Sequence, residues 1–221
     1  MKLVTFQSEG ALSTLRKTGI LMADQSYINM EKYAIPYDWM VHEMHQKNIC
    51  PKNGEEYPIW AWAKCGALNA PRKRKNYFGI QQKKLIKITF EKPDNEVLLS
   101  DYMAYSFILS GQIVPKNKKE YINFLKRMES QGVSLEDLKN SVRHQKTESS
   151  IPINEIQKTW ERIFDLKSYI VQACVWNIKM SEVIAIDVLD DKSYIYGAMN
   201  AKRSDGSRPV WKKEYFKFRS D

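Results

Sequence analysis

The order of strand-like and helix-like segments constrains this chain most. Runs rich in β-branched and aromatic residues stand at both ends, and segments of helical period fill the middle. That order gives an α+β protein and excludes an alternating parallel sheet. The opening is the most explicit part. Lys2–Gln7 has strand character in Leu3, Val4, Thr5 and Phe6, and Ser8 is placed to cap a helix. Ala11, Leu12 and Leu15 recur at helical spacing, Gly19 is placed to end the helix, and an apolar Ile20-Leu21 follows.

Further along, Pro36 is expected to precede a second helix with Tyr37, Met40, Val41 and Met44 on one face. Tyr57–Ala63, Leu85–Phe90 and Val97–Leu99 read as strands, with Cys50–Glu56 a loop and Pro93-Asp94-Asn95 a turn. Ser100 is placed to cap a helix that Gly111 closes. A helical segment over about 116–166 comes next. It holds Lys119–Ser130, a helix behind the Ser134/Asp137 capping box, and one capped by Asn154 with Gln157 that carries Ile156, Trp160, Ile163 and Phe164. Tyr169–Ile178 and Glu182–Leu189 read as two closing strands. The expected organisation is one domain over 1–189 and a basic, aromatic extension over 190–221 packed on it.

Composition narrows the function classes. The chain has 221 residues, 43% of them hydrophobic and 28% charged, which suits a globular core. A mean hydropathy of −0.53, with no apolar run near the length of a bilayer span, argues against a membrane protein, and a cytoplasmic location is expected. Cys50, Cys65 and Cys174 are odd in number and form no CxxC pair, so no disulfide framework is expected. His42, Glu43, His45 and Cys50 lie close together, but the histidines are three apart rather than four, and no metal site is expected. The chain contains no glycine-rich phosphate loop, no GxSxG elbow and no GxGxxG fingerprint.

Several segments carry a resemblance. Val4-Thr5-Phe6-Gln7 with its helix, Tyr57-Pro58-Ile59-Trp60-Ala61-Trp62, Glu96-Val97-Leu98-Leu99-Ser100-Asp101 and Ser168 through Trp176 resemble an uncharacterised bacterial family. That family is a domain of unknown function about as long as residues 1–190, and the Trp160–Asp165 helix is also similar to its pattern. More distantly, the opening strand and helix, the aromatic strand and the late strands resemble the ADP-ribosyltransferase fold. That resemblance implies two packed, mostly antiparallel sheets with an inserted helical segment, and NAD as substrate in the cleft between them. Breaking the nicotinamide–ribose bond develops positive charge on the sugar, so such a site needs a polar group beside the ribose and an aromatic face for the ring. Carried onto this chain, the resemblance puts Thr5, Gln7, Trp60 and Trp62 at the NAD-binding positions and Gln172 with Trp60 at the catalytic ones. Where the fold usually has a glutamate this chain has Gln172, which cannot carry charge or act as a base. Asp101, Glu155 and Glu161 are the candidate carboxylates to complete the site. The plain alternative is that both tryptophans are core residues and both glutamines are satisfied polar groups near strand ends.

The charge points to a second class of partner. Lysine and arginine number 35 against 26 acids, an excess of nine, which favours an anionic partner. From Arg72 to Lys92 there are eight basic residues and one acid, Glu91. Arg72, Lys73, Arg74 and Lys75, with Tyr77 and Phe78 beside them, are the candidate nucleic-acid contacts, since cations neutralise phosphates while aromatic rings stack on bases. The expectations are therefore an ADP-ribosyltransferase-like protein acting on a nucleic-acid or protein target, or a non-catalytic basic module that binds nucleic acid or an acidic protein.

Overall fold

A computed structural model describes residues 1–27, 30–64, 85–144, 153–167 and 170–189. The chain is α+β and divides into two compact units. Of the described residues, the first comprises 1–23, 44–64, 85–99 and 170–189, and the second 24–27, 30–43, 100–144 and 153–167.

The first unit is built on a six-stranded sheet. Its strands are β1 (Lys2–Gln7), β3 (Ile59–Lys64), β4 (Leu85–Glu91), β5 (Leu98–Asp101), β6 (Val171–Val175) and β8 (Val183–Leu189), in the order β5-β6-β3-β1-β4-β8; Ser100 and Asp101, the last two residues of β5, fall in the second unit. The β3–β6, β1–β3, β1–β4 and β4–β8 pairings are antiparallel. A second sheet pairs β2 (Ile20–Met22) with β7 (Asn177–Lys179). Helix α1 (Glu9–Thr18) begins where its local signals place it: Ala11 N donates to Ser8 Oγ at 3.0 Å, and Gly19 closes it at φ 77°. Leu12 and Leu15 of α1 and Leu21 of β2 pack with Leu3, Ile59, Ala61, Ile86, Ile88, Phe90, Ala173 and Val175 as one core. Leu3, Leu15 and Ile88 are fully buried, each contributing about 1.5–3 kcal/mol of transfer free energy. The expected strand Tyr169–Ile178 is in fact two. Trp176 interrupts it, and the residues beyond leave the main sheet to pair with β2.

The second unit is helical. It holds most of α2 (Met30–Gln46), then α3 (Tyr102–Ile108), α4 (Lys118–Ser130), α5 (Leu135–His144) and α6 (Ile153–Gln157), with a 3-10 turn over Trp160–Asp165. Trp160 is fully buried, donates Nε1–H to the Gln112 carbonyl at 2.9 Å, and meets the Trp39 ring edge-on at 5.4 Å. Phe164 stacks on Trp39 at 6.0 Å.

Three local expectations change. Helix α2 runs through Pro36 instead of starting after it; one missing N–H is tolerated because the rest of the helix is hydrogen-bonded and packed. The cap of α3 is Asp101, not Ser100: Asp101 Oδ1 accepts from Met103 N at 2.9 Å and Ala104 N at 3.0 Å. Asn154 lies inside α6 and does not cap it, and the expected single helix through Phe164 breaks after Gln157. The Ser134/Asp137 capping box forms reciprocally, with Asp137 N on Ser134 Oγ at 3.0 Å and Ser134 N on Asp137 Oδ2 at 2.9 Å. Among the described residues no helix is long and apolar enough to cross a membrane.

Candidate functional site

The residues singled out on β1, β3 and β6 lie side by side in one sheet but not on one face. Cross-strand partners in an antiparallel sheet project to the same side, and neighbours along a strand to opposite sides. Val4 pairs with Trp62, Trp62 with Gln172, and Trp60 with Cys174, so Trp60, Trp62 and Gln172 share a face with Val4 and Cys174. Thr5 pairs with Ile88 and Gln7 with Ile86, which sets both on the opposite face, with the core that α1 covers. Thr5 is buried and donates Oγ1–H to the Trp60 carbonyl at 2.8 Å, while Gln7 Nε2 donates to Thr5 Oγ1 at 2.9 Å. Gln172 is 4% exposed and stands directly across from Trp62. Burial pushes the Cys174 thiol on that face well above its ordinary range, which makes it unreactive. Of the candidate carboxylates, Asp101 accepts the first N–H groups of α3, Glu155 meets Arg127 at 3.6 Å on the surface, and Glu161 is exposed. All three belong to the second unit, whereas Gln172 belongs to the first. Arg72, Lys73, Arg74, Lys75 and Tyr77 lie outside the described residues.

The first unit also contains a polar cleft that the sequence reading missed. Three segments form it: the loop after α2, the turn between β4 and β5, and the junction of β6 with β7. At its centre the Asn177 amide bridges two charged groups. Its Nδ2 donates to Glu55 Oε1, and its Oδ1 accepts from Lys92 Nζ at 3.1 Å. Lys92 is 3% exposed, and its ammonium also donates to Glu182 Oε1 at 2.8 Å and lies 3.5 Å from Glu96 Oε2. Three acceptors surround three N–H donors, which is what an ammonium needs to remain charged away from water. Glu96 is shared with Lys52, whose Nζ donates to Oε1 at 2.7 Å.

Electrostatics of the cleft follow from these bonds. Burial, the largest influence on Glu55, would raise its carboxyl. The combined hydrogen bonds from the Asn53 and Asn177 side chains and from backbone N–H groups override it and hold the value down to about 2, from 4.5. The Lys52 hydrogen bond holds the Glu96 carboxyl below its ordinary value as well. Beside this network lies a cavity of 160 Å³ lined by Asn48, Ile49, Cys50, Lys52, Lys92, Asn95, Glu96, Trp176 and Asn177. Trp176 is fixed there by its Nε1–H on the Ile49 carbonyl at 2.8 Å and by the His45 ring at 5.7 Å. The available signal in the sequence was Asn177 itself, a lone amide inside the apolar run Val175-Trp176-Asn177-Ile178. Among the described residues no three His, Cys, Asp or Glu side chains gather as metal ligands would.

Fold and cleft together define an α+β protein whose main sheet supports a buried, hydrogen-bonded polar cluster. Its family is the one described as Domain of unknown function (DUF3841), whose model matches residues 2–184, and the chain belongs to that family. No curated protein and no solved structure matches the chain.

Proposed function

We propose that the protein is a non-catalytic module that binds nucleic acid through two basic segments. The observation that supports this is where the charge lies. Segment 65–84 contains Arg72, Lys73, Arg74, Lys75, Lys83 and Lys84 and no acid. Residues 190–221 hold eight basic and five acidic residues. Together they account for the whole excess of nine, and the remainder of the chain is balanced. A protein that needed charge only for solubility would have no reason to confine it in this way. Aromatic residues accompany the cations in both stretches: Tyr77 and Phe78 in the first, Tyr194, Tyr196, Trp211, Tyr215 and Phe216 in the second. Cations with interleaved rings suit a single strand, whose phosphates and unpaired bases are both accessible.

The test compares wild type with a variant carrying Arg72→Gln, Lys73→Gln, Arg74→Gln and Lys75→Gln, on a single-stranded oligonucleotide at low salt. The variant is expected to bind at least about tenfold more weakly with an unchanged melting temperature. Equal binding by the two, or none by wild type, overturns the proposal. Specific capture of an acidic protein by a wild-type chain that ignores nucleic acid would assign the charge to that partner.

A second function, NAD binding by an ADP-ribosyltransferase-like fold with transfer of ADP-ribose to a nucleic-acid or protein target, has one observation in its favour. Trp62 and Gln172 are direct cross-strand partners with Trp60 on the same face, so rings and an amide stand together as a nicotinamide would require. Thr5 and Gln7 project from the other face and would take no part, and Gln172 supplies no base. Thermal unfolding with excess NAD decides it. A ligand at 100 times its Kd adds about 2.7 kcal/mol, and an unmoved melting temperature removes this function.

A further inference from the structure

We propose that the polar cleft of the first unit is a pocket for one pyrimidine base, resting on nucleic-acid binding as proposed above. Four features of the cleft converge on a neutral, planar, single-ring heterocycle with an amide-like edge.

The first is size. A dry cavity of about 150 Å³ takes benzene, so 160 Å³ admits one six-membered ring and its exocyclic oxygens. The second is the wall. Trp176 is 6% exposed and offers the cavity only a ring edge, held in place by its bond to the Ile49 carbonyl, against which the rim of a small ring can rest. The third is the polar edge. Asn48 and Asn95 line the same cavity, both are exposed, and neither side chain makes a hydrogen bond among the described residues. Each amide offers a donor beside an acceptor, the complement of the N3–H and O4, or N3 and N4–H, edge of a pyrimidine. Asn48 is also one of two described non-glycine residues at positive φ, at 59°, a conformation asparagine tolerates better than other side chains. The fourth is charge. Both lysines of the lining already meet carboxylates, Lys52 at 2.7 Å and Lys92 at 2.8 Å. A phosphate entering here would have to displace Glu96 or Glu182, whereas a neutral base leaves both ion pairs intact.

The experiment measures binding of the full chain to three oligomers of equal length: oligo(dT), oligo(dA) and an abasic strand with the same phosphates. Wild type and an Asn48→Gly, Asn95→Ala variant are compared. Glycine keeps the left-handed backbone at position 48, and position 95 lies in an exposed turn, so the variant retains the fold while losing both amides. Wild type is expected to prefer oligo(dT) over the abasic strand by about tenfold, in line with one base held in the pocket, and over oligo(dA) by a smaller margin. The variant is expected to lose about tenfold on oligo(dT), beyond any stacking on the rings of the basic segments, and to keep its affinity for the abasic strand; an unchanged preference overturns the pocket. Competition by free thymidine would place a mononucleoside in the same pocket and equally support it. Equal wild-type affinity for oligo(dT) and the abasic strand overturns the pocket while leaving nucleic-acid binding in place. Equal affinity for oligo(dT) and oligo(dA) overturns the assignment to a single ring. Failure to bind any strand removes the nucleic-acid function and the pocket with it.

Discussion

Glu55 accepts from four donors: the backbone N–H groups of Lys52 and Asn53 and the side-chain amides of Asn53 and Asn177. Its carboxyl titrates near 2 in the folded protein against 4.5 when free. A depressed folded value stabilises the fold above the unfolded value, and that stability disappears as pH falls from about 4.5 towards 2. The amount at neutral pH is at most about 3 kcal/mol. Chemical denaturation of wild type and Glu55→Gln across pH 2 to 7 is therefore expected to give curves that differ most at neutral pH and converge in acid. Parallel curves would contradict the role of the charge. Lys92 is the companion case. Lys92→Met leaves Asn177, Glu182 and Glu96 facing a methyl group, and breaking a buried pair in this way costs about 3–5 kcal/mol. A fall in denaturation midpoint corresponding to less than about 1 kcal/mol would show that the cluster does not hold its segments together. Apart from Asn177 as a lone amide in an apolar run, this cluster was not legible in the sequence, because its partners are far apart: Asn177 and Glu55 are separated by 122 positions, Lys92 and Glu182 by 90. Local patterns named the turns that carry these residues but could not pair them.

At the scale of elements, legibility follows the range of the interaction. Strand β1, the Ser8 cap and the Gly19 stop were readable because each depends on neighbours within one helical turn. Gly19 sits at φ 77° with open space where a side chain would be, so Gly19→Ala pays only backbone strain. A loss of about 1 kcal/mol in denaturation midpoint is expected. The start of α3 was ambiguous because Ser100 and Asp101 are both good caps, and only the structure shows Asp101 taking the N–H groups. Asp101→Ala is expected to cost about 1–2 kcal/mol by the same measurement, and a neutral outcome would show that the cap does not hold that end of the helix. The break at Trp176 was hidden for a different reason. An unbroken apolar run reads as one strand, and nothing in its period reveals that Asn177 onward pairs with β2. For the candidate site the same limit applied to faces. Alternation along each strand was readable, but not the register that sets Trp60, Trp62 and Gln172 on one side and Thr5 and Gln7 on the other.

At the scale of the whole molecule, the excess charge is concentrated in two stretches of the sequence. Balanced charge is spread over the strands and helices, and the excess of nine lies in 65–84 and 190–221. This partition was present in the sequence from the start, but it has meaning only once the strands and helices are located. The most direct measurement of the central claim is the salt dependence of oligonucleotide binding by the full chain. Each neutralised phosphate of a single strand contributes about −0.7 to the slope of log K against log salt. If the six cations of 65–84 engage the strand the slope is about −4, and it steepens towards about −10 if the eight of 190–221 engage it as well. It becomes shallower by about 3 when Arg72, Lys73, Arg74 and Lys75 are changed to glutamine. A slope near zero, or one that the four substitutions leave unchanged, would contradict the account.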